Sequence, residues 1–200
     1  MTSKISDENG LISQDQSEDN KKTNEQSSTI IKWEAPIGNW IKINTSCAFS
    51  DEQGIASICF AVRDSNAWLL DGWNCRLNVE SPLQAEIKVM ESAISYAIEN
   101  ELDEVIFESD NEILIDSIIK EKTPPEWGCD TLLENIQALR NNIRNHKFLW
   151  LPKEANLVAD WMAKVSLNEP RHVDWVLGPP SFVQDLIMKD YLEIAQRLRR

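Results

Sequence analysis

From Trp40 to Phe49 the side chains alternate, with Ile41, Ile43, Thr45, Cys47 and Phe49 on one face and Lys42, Asn44 and Ser46 on the other. That period of two predicts a strand. Asp51–Gly54 reads as a turn, Ile55–Arg63 as a second strand rich in Ile, Val and Phe, and Asp64–Asn66 as another turn. A third strand is expected over Ala67–Leu77, interrupted at Gly72. Three strands joined by short turns make an antiparallel meander. The period then lengthens. Ser81 can cap a helix, Pro82 suits its first position and Gln84 can close a capping box. Leu83, Ile87, Met90, Ile94 and Ala97 follow on one stripe. Val105–Phe107 is a short continuous apolar run, as a strand covered on both faces requires. Helices are predicted over Ile113–Lys120 (stopped by Pro124 and Pro125), Thr131–Arg144 and Ala155–Leu167, with a second buried strand at Phe148–Leu151. The order βββ, then α-β-α-α-β-α, predicts an α/β fold: a mixed five-stranded sheet with helices packed against it.

Composition divides the chain of 200 residues into three parts. Residues 1–30 are polar, with too few apolar groups to offset the entropy of ordering, and are expected to form a disordered acidic tail. Residues 31–168 hold the predicted domain. Residues 169–200 hold an extended segment, Trp175–Pro180, and an amphipathic helix over roughly Phe182–Leu198. Apolar residues make up 42% of the chain, eight of them Trp, so a core can form.

Charge narrows the function classes. The net charge is −13 and the pI about 4.6, whereas a chain that grips phosphates normally shows a basic face. The tail's three lysines against six acids account for little of this, so any nucleic-acid role must rest on a local patch or a divalent metal. Cys47, Cys59, Cys75 and Cys129 form no C-x-x-C pair and are expected as reduced thiols. The first residues have no apolar core of a signal peptide and are not Arg-rich, and no apolar run is long enough to span a bilayer. An intracellular protein of nucleus or cytoplasm, without a membrane partner, is the expectation.

Three carboxylates fit a purely structural role poorly. Glu86 falls on the apolar stripe of its helix, where a charge is costly unless paired or bound to metal. Asp110 ends a buried strand at its carboxyl end, where open α/β sheets place ligands. Asp160 lies inside the last helix of the domain with Asn156 one turn before it. Each has a plain alternative: Asp110 as the cap of the following helix, Glu86 as a surface residue at the stripe's edge, Asp160 as the i,i+4 partner of Lys164.

Taken jointly with Trp33-Glu-Ala-Pro36, Trp40–Thr45, Ala61–Asp64, Ser81–Glu86, Phe107–Asp110 and Leu151–Asn156, these acids resemble type 1 RNase H. The resemblance is in particular to plant RNase H-like domains related to non-LTR retroelement reverse transcriptases, and runs from about Trp33 to Leu167. It implies four carboxylates holding two divalent ions, usually Mg²⁺ with Mn²⁺ as an alternative, at the scissile phosphate of RNA paired with DNA. The second, third and fourth fall on Glu86, Asp110 and Asp160, which become the implied catalytic and metal-binding residues. The first belongs in a stretch that usually reads Asn-Thr-Asp-Gly-Ala. Here that stretch is Asn44-Thr-Ser-Cys-Ala48, with Ser46 at the Asp position and Cys47 at the Gly position.

A hydroxyl at Ser46 removes a full charge and a bridging ligand from a hard-cation site. Asp51, the nearest acid downstream, lies beyond the strand end. The expectation is an RNase H-like protein whose inherited class is RNA–DNA hybrid endoribonuclease with nucleic-acid binding, and whose hydrolysis is lost or reduced. Two rivals stand beside it: a slow, Mn²⁺-favouring ribonuclease using three carboxylates, and an inactive scaffold for a protein partner. The acidic tail, the terminal helix and Trp33 and Trp175, read as exposed, favour the scaffold. His146 is read as a surface residue, and Trp150 as core rather than a platform for a base.

Overall fold

The structure is a computed structural model, and it describes residues 32–122, 126, 128–169 and 174–197. The expectation for residues 1–30 and the helix stop at Pro124 and Pro125 lie outside these. Ile31–Arg200 is one compact unit. Its elements in chain order are β1 (Ile41–Ser50), β2 (Ile55–Arg63), β3 (Leu69–Asn78), α1 (Pro82–Glu99), β4 (Glu104–Ser109), α2 (Glu112–Lys120), α3 (Asp130–Arg140), β5 (Asn145–Trp150), a 3₁₀ turn (Lys153–Ala155), α4 (Leu157–Asn168) and α5 (Ser181–Arg197).

The sheet order is β3-β2-β1-β4-β5. β1, β2 and β3 pair antiparallel, while β4 pairs parallel to β1 and β5 parallel to β4. This is the mixed five-stranded sheet that the order of elements predicts. The two parallel pairings require crossovers, which α1 and the α2–α3 pair supply. α1 starts where its signals put it, with the Ser81 hydroxyl accepting from the Gln84 N–H at 3.2 Å.

One sheet face is mainly apolar. Ile43, Ile58, Phe60, Val62, Val105 and Phe107 meet Ile87, Met90 and Ile94 of α1, Leu114 and Ile118 of α2, and Leu133 and Ile136 of α3. The other face carries a smaller cluster, Cys59, Ala61, Val158, Met162, Trp175 and Ile187, under α4 and α5. Beside it runs a buried polar network. Glu108 accepts from Lys42 Nζ, from Asn44 Nδ2 at 2.9 Å and from Trp33 Nε1 at 3.1 Å. The guanidinium of Arg63 lies 3.6 Å over the Trp33 ring and pairs with Asp190 of α5 at 2.8 Å.

Several expectations are corrected here. β5 is an edge strand in which Phe148 alone is buried, because among the described residues no element covers its outer edge or one of its faces. Trp150 is therefore nearly half exposed rather than core. His146 lies within β5, half-buried, its ring 5.6 Å from that of Phe148. Trp33 and Trp175 are buried, since the entry segment and the segment before α5 both lie against the sheet. β3 continues through Gly72 without interruption. A Cβ there would meet Met162 Cε and Trp175 Cβ at 2.7 Å, so the glycine admits a close approach rather than breaking the strand.

Candidate functional site

The C-terminal end of β4 lies beside the middle of β1, with Thr45 opposite Ser109, and Glu86 and Asp110 line a cleft next to this point. Alternation along β1 sends Thr45 and Cys47 toward α1 and Ser46 toward α4. Ser46 is buried, in register with Cys59 of the α4-side cluster. The residue that meets Glu86 is therefore Cys47, not Ser46. The Cys47 thiol donates to Glu86 Oε1 at 3.2 Å.

Glu86 is buried in the second turn of α1, and its Oε2 has no hydrogen-bond partner. Burial, then the neighbouring Asp110 carboxylate, push its carboxyl up from the ordinary 4.5 to about 8. At neutral pH it is a neutral acid. Burial, with Glu86 and Asp110 adding to it, raises the Cys47 thiol far above its ordinary range, so it is not a thiolate nucleophile.

Asp110 follows β4 and does not cap α2. Asn111 does, its Oδ1 accepting from the Leu114 N–H at 3.0 Å. Asp110 instead accepts from Asn156 Nδ2 at 3.2 Å, and the same amide donates to Thr45 O at 2.8 Å. Asn156 thus fastens the middle of β1, the residue after β4 and the start of α4 to one another. Glu86, Asp110, Asn111, Glu112 and Ile113 line a cleft of about 400 Å³.

Asp160 is buried one turn further into α4 and is held by lysines. Its Oδ2 accepts from Lys164 Nζ at 2.6 Å, and Lys153 Nζ lies 3.5 Å from its Oδ1. The i,i+4 alternative for Asp160 is realised. Lys153 also acts on the other side of the site, where its charge partly opposes the upward shifts of Glu86 and Cys47. Glu86 and Asp110 line one cleft, whereas Asp160 is not in that lining and has ammonium partners. Asp51 lies in the exposed turn after β1.

A pair of hard divalent ions fits this donor set poorly. Position 46 is neutral, and both oxygens of Asp160 face lysines. Among the described residues no three His, Cys, Asp or Glu side chains converge closely enough to hold a metal ion.

The family model described as reverse transcriptase-like matches residues 44–166, from the middle of β1 to the end of α4. The chain belongs to the reverse transcriptase-like family. Its folded unit is an RNase H type 1-like domain, and solved structures agree. It is similar to RNase H1 from the halophilic archaeon Halobacterium salinarum NRC-1, at 13% identity over 65% of this chain and 98% of that one, with a TM-score of 0.61. It is likewise similar to LC11-RNase H1, isolated from compost, at 18% identity over 66% of this chain and 99% of that one, TM-score 0.61. LC11-RNase H1 in complex with an RNA/DNA hybrid matches at 18% identity over 58% and 88% of the two chains, TM-score 0.52. Identities this low establish the fold alone. No curated protein matches the sequence. Among the described residues, no helix of this RNase H-like domain is long and apolar enough to cross a membrane.

Three contributors to the site escaped the sequence reading. Alternation puts Cys47 on the face of Ile41 and Ile43, and the resemblance puts it only at a Gly position. Lys153 stood inside a family-like stretch and carried no signal of its own. Trp150, whose indole N–H donates to Asp110 O at 3.2 Å, was assigned to the core.

Proposed function

We propose that this RNase H-like protein binds RNA–DNA hybrid or another nucleic acid and has lost, or keeps only weakly, the hydrolysis of its inherited class. The observation that carries the reading is Ser46 where the resemblance requires an aspartate, on a strand whose next residue spends its side chain on Glu86. The lysines on Asp160 support it. Glu86, Asp110 and Asp160 remain the residues inherited for Mg²⁺ or Mn²⁺, and no hydrolytic step is assigned to them.

Cleavage of a labelled RNA–DNA hybrid, in Mg²⁺ and in Mn²⁺, tests this with the unmodified protein, Ser46→Asp and Asp110→Asn. The expected result is no cutting above background by the unmodified protein and slow cutting by Ser46→Asp. Cutting by the unmodified protein that Asp110→Asn abolishes would overturn the loss of hydrolysis and restore the three-carboxylate ribonuclease.

One observation favours the scaffold reading. An apolar groove of about 270 Å³ opens between β3 and α5, lined by Trp68, Leu177 and Met188, all exposed. A protein that binds no nucleic acid at any salt concentration would bring this surface to the front.

A further inference from the structure

Beside the cleft that holds Glu86 and Asp110 stands an exposed aromatic residue that the hydrolytic residues do not explain. Trp150 ends β5 opposite Ser109, and the following Leu151 N–H donates to Ser109 O at 3.1 Å. Trp150 is 48% exposed, whereas Phe148, two residues earlier on the same face, is buried against Phe107. Its N–H bond to Asp110 O holds the indole beside the cleft, so the ring is both exposed and oriented. Three residues on, Lys153 extends from the 3₁₀ turn, its side chain 61% exposed. Its ammonium acts on Glu86 and Cys47 and lies 3.5 Å from Oδ1 of Asp160, which Lys164 also holds. An oriented aromatic face is thus fastened to Asp110, which lines the cleft, and an exposed cation follows three residues later beside Asp160.

We infer that this cleft takes single-stranded nucleic acid, with Trp150 stacking on a nucleobase and Lys153 meeting an adjacent phosphate. The inference rests on the nucleic-acid reading above and names its substrate class. An indole can stack only on a base whose own neighbour has been removed from that face. Unpaired strands offer such bases throughout, and the interior of a paired hybrid offers none. Charge points the same way. A chain of net charge −13 gains little from phosphates at long range, whereas stacking is uncharged and tolerates that field. An apolar peptide is a poorer occupant, because Asp110, Asn111 and Glu112 interrupt the surface beside Ile113.

Fluorescence anisotropy with the full chain tests the inference. The probes are short labelled single strands of RNA and of DNA and a long RNA–DNA hybrid, at low and high salt. The proteins are wild type, Trp150→Ala, Trp150→Phe and Lys153→Gln, with circular dichroism verifying the fold. Single strands are expected to bind tighter than the hybrid. Trp150→Ala should weaken single-strand binding about ten-fold or more, with most of the affinity kept by Trp150→Phe. Lys153→Gln should make the salt dependence shallower by about 0.7 in log–log slope. Single strands bound equally well by Trp150→Ala and wild type, or a hybrid preferred over them, would overturn the stacking inference and leave the nucleic-acid reading in place. Absence of binding to every probe would overturn both.

Discussion

Glu86 shares its helix face with Leu83, Ile87 and Met90, and its environment decides its charge. Folding raises its pKa from 4.5 to about 8, so the folded protein keeps a proton that the unfolded chain releases. The stability linked to that proton is complete below pH 4.5, declines as pH rises, and is gone above about 8. Glu86→Gln keeps the shape and a carbonyl for the Cys47 thiol while removing the titration. Its Tm should equal that of the wild type near pH 4 and exceed it by several degrees at pH 8.5, read by thermal denaturation across pH. A wild type that is equally stable at both ends of that range would count against the buried neutral acid. The sequence exposed Glu86 as a misfit, since a carboxylate on an apolar stripe is visible from spacing alone. It could not show the thiol that meets it, because that contact joins positions far apart in the chain. Asp160 was legible only as two alternatives, and the lysine partner at i+4 is the local one.

Among the elements, strands and helices with internal period were legible, and those defined by what covers them were not. β2 and the start of α1 agree with the pattern of their own residues. β5 does not, because Phe148, Leu149, Trp150 and Leu151 read as a buried run while the sheet ends at that strand. β3 gives the reverse lesson. Gly72 read as a break, and it marks instead where Trp175 presses against the strand, its Nε1 donating to Asn74 Oδ1 at 2.9 Å. Gly72→Ala should thus behave as overpacking, costing about 1–3 kcal/mol. In a domain of this size that is a Tm lower by roughly 3–10 °C, measured by calorimetry. A neutral outcome would mean that the Trp175 segment yields without loss.

At the scale of the whole molecule, the polar side of β1 is the surprise. Lys42 and Asn44 alternate outward in the sequence, yet they are buried with Glu108 under Trp33. Arg63 extends the network to α5 through Asp190, and its own burial lowers its pKa even with that partner. Removing Asp190 leaves a buried guanidinium without its charge partner, which costs about 3–5 kcal/mol. Asp190→Ala should lower the urea midpoint accordingly. Replacing both, as Arg63→Met with Asp190→Leu, should lower it less. Equal losses would show that α5 is held by its apolar contacts alone.

The entry segment and α5 are also joined at their outer ends. Lys32 Nζ lies 2.8 Å from Glu193 Oε1, and Arg197 reaches to 3.9 Å from Glu34. The polypeptide thus passes into and out of the folded unit at one doorway. Domains arranged in this way tolerate being spliced into the loop of a host protein, because the host need bridge only a short gap. A pull applied through the two ends would open this clasp first, parting Lys32 from Glu193 while the sheet behind it still carried no load.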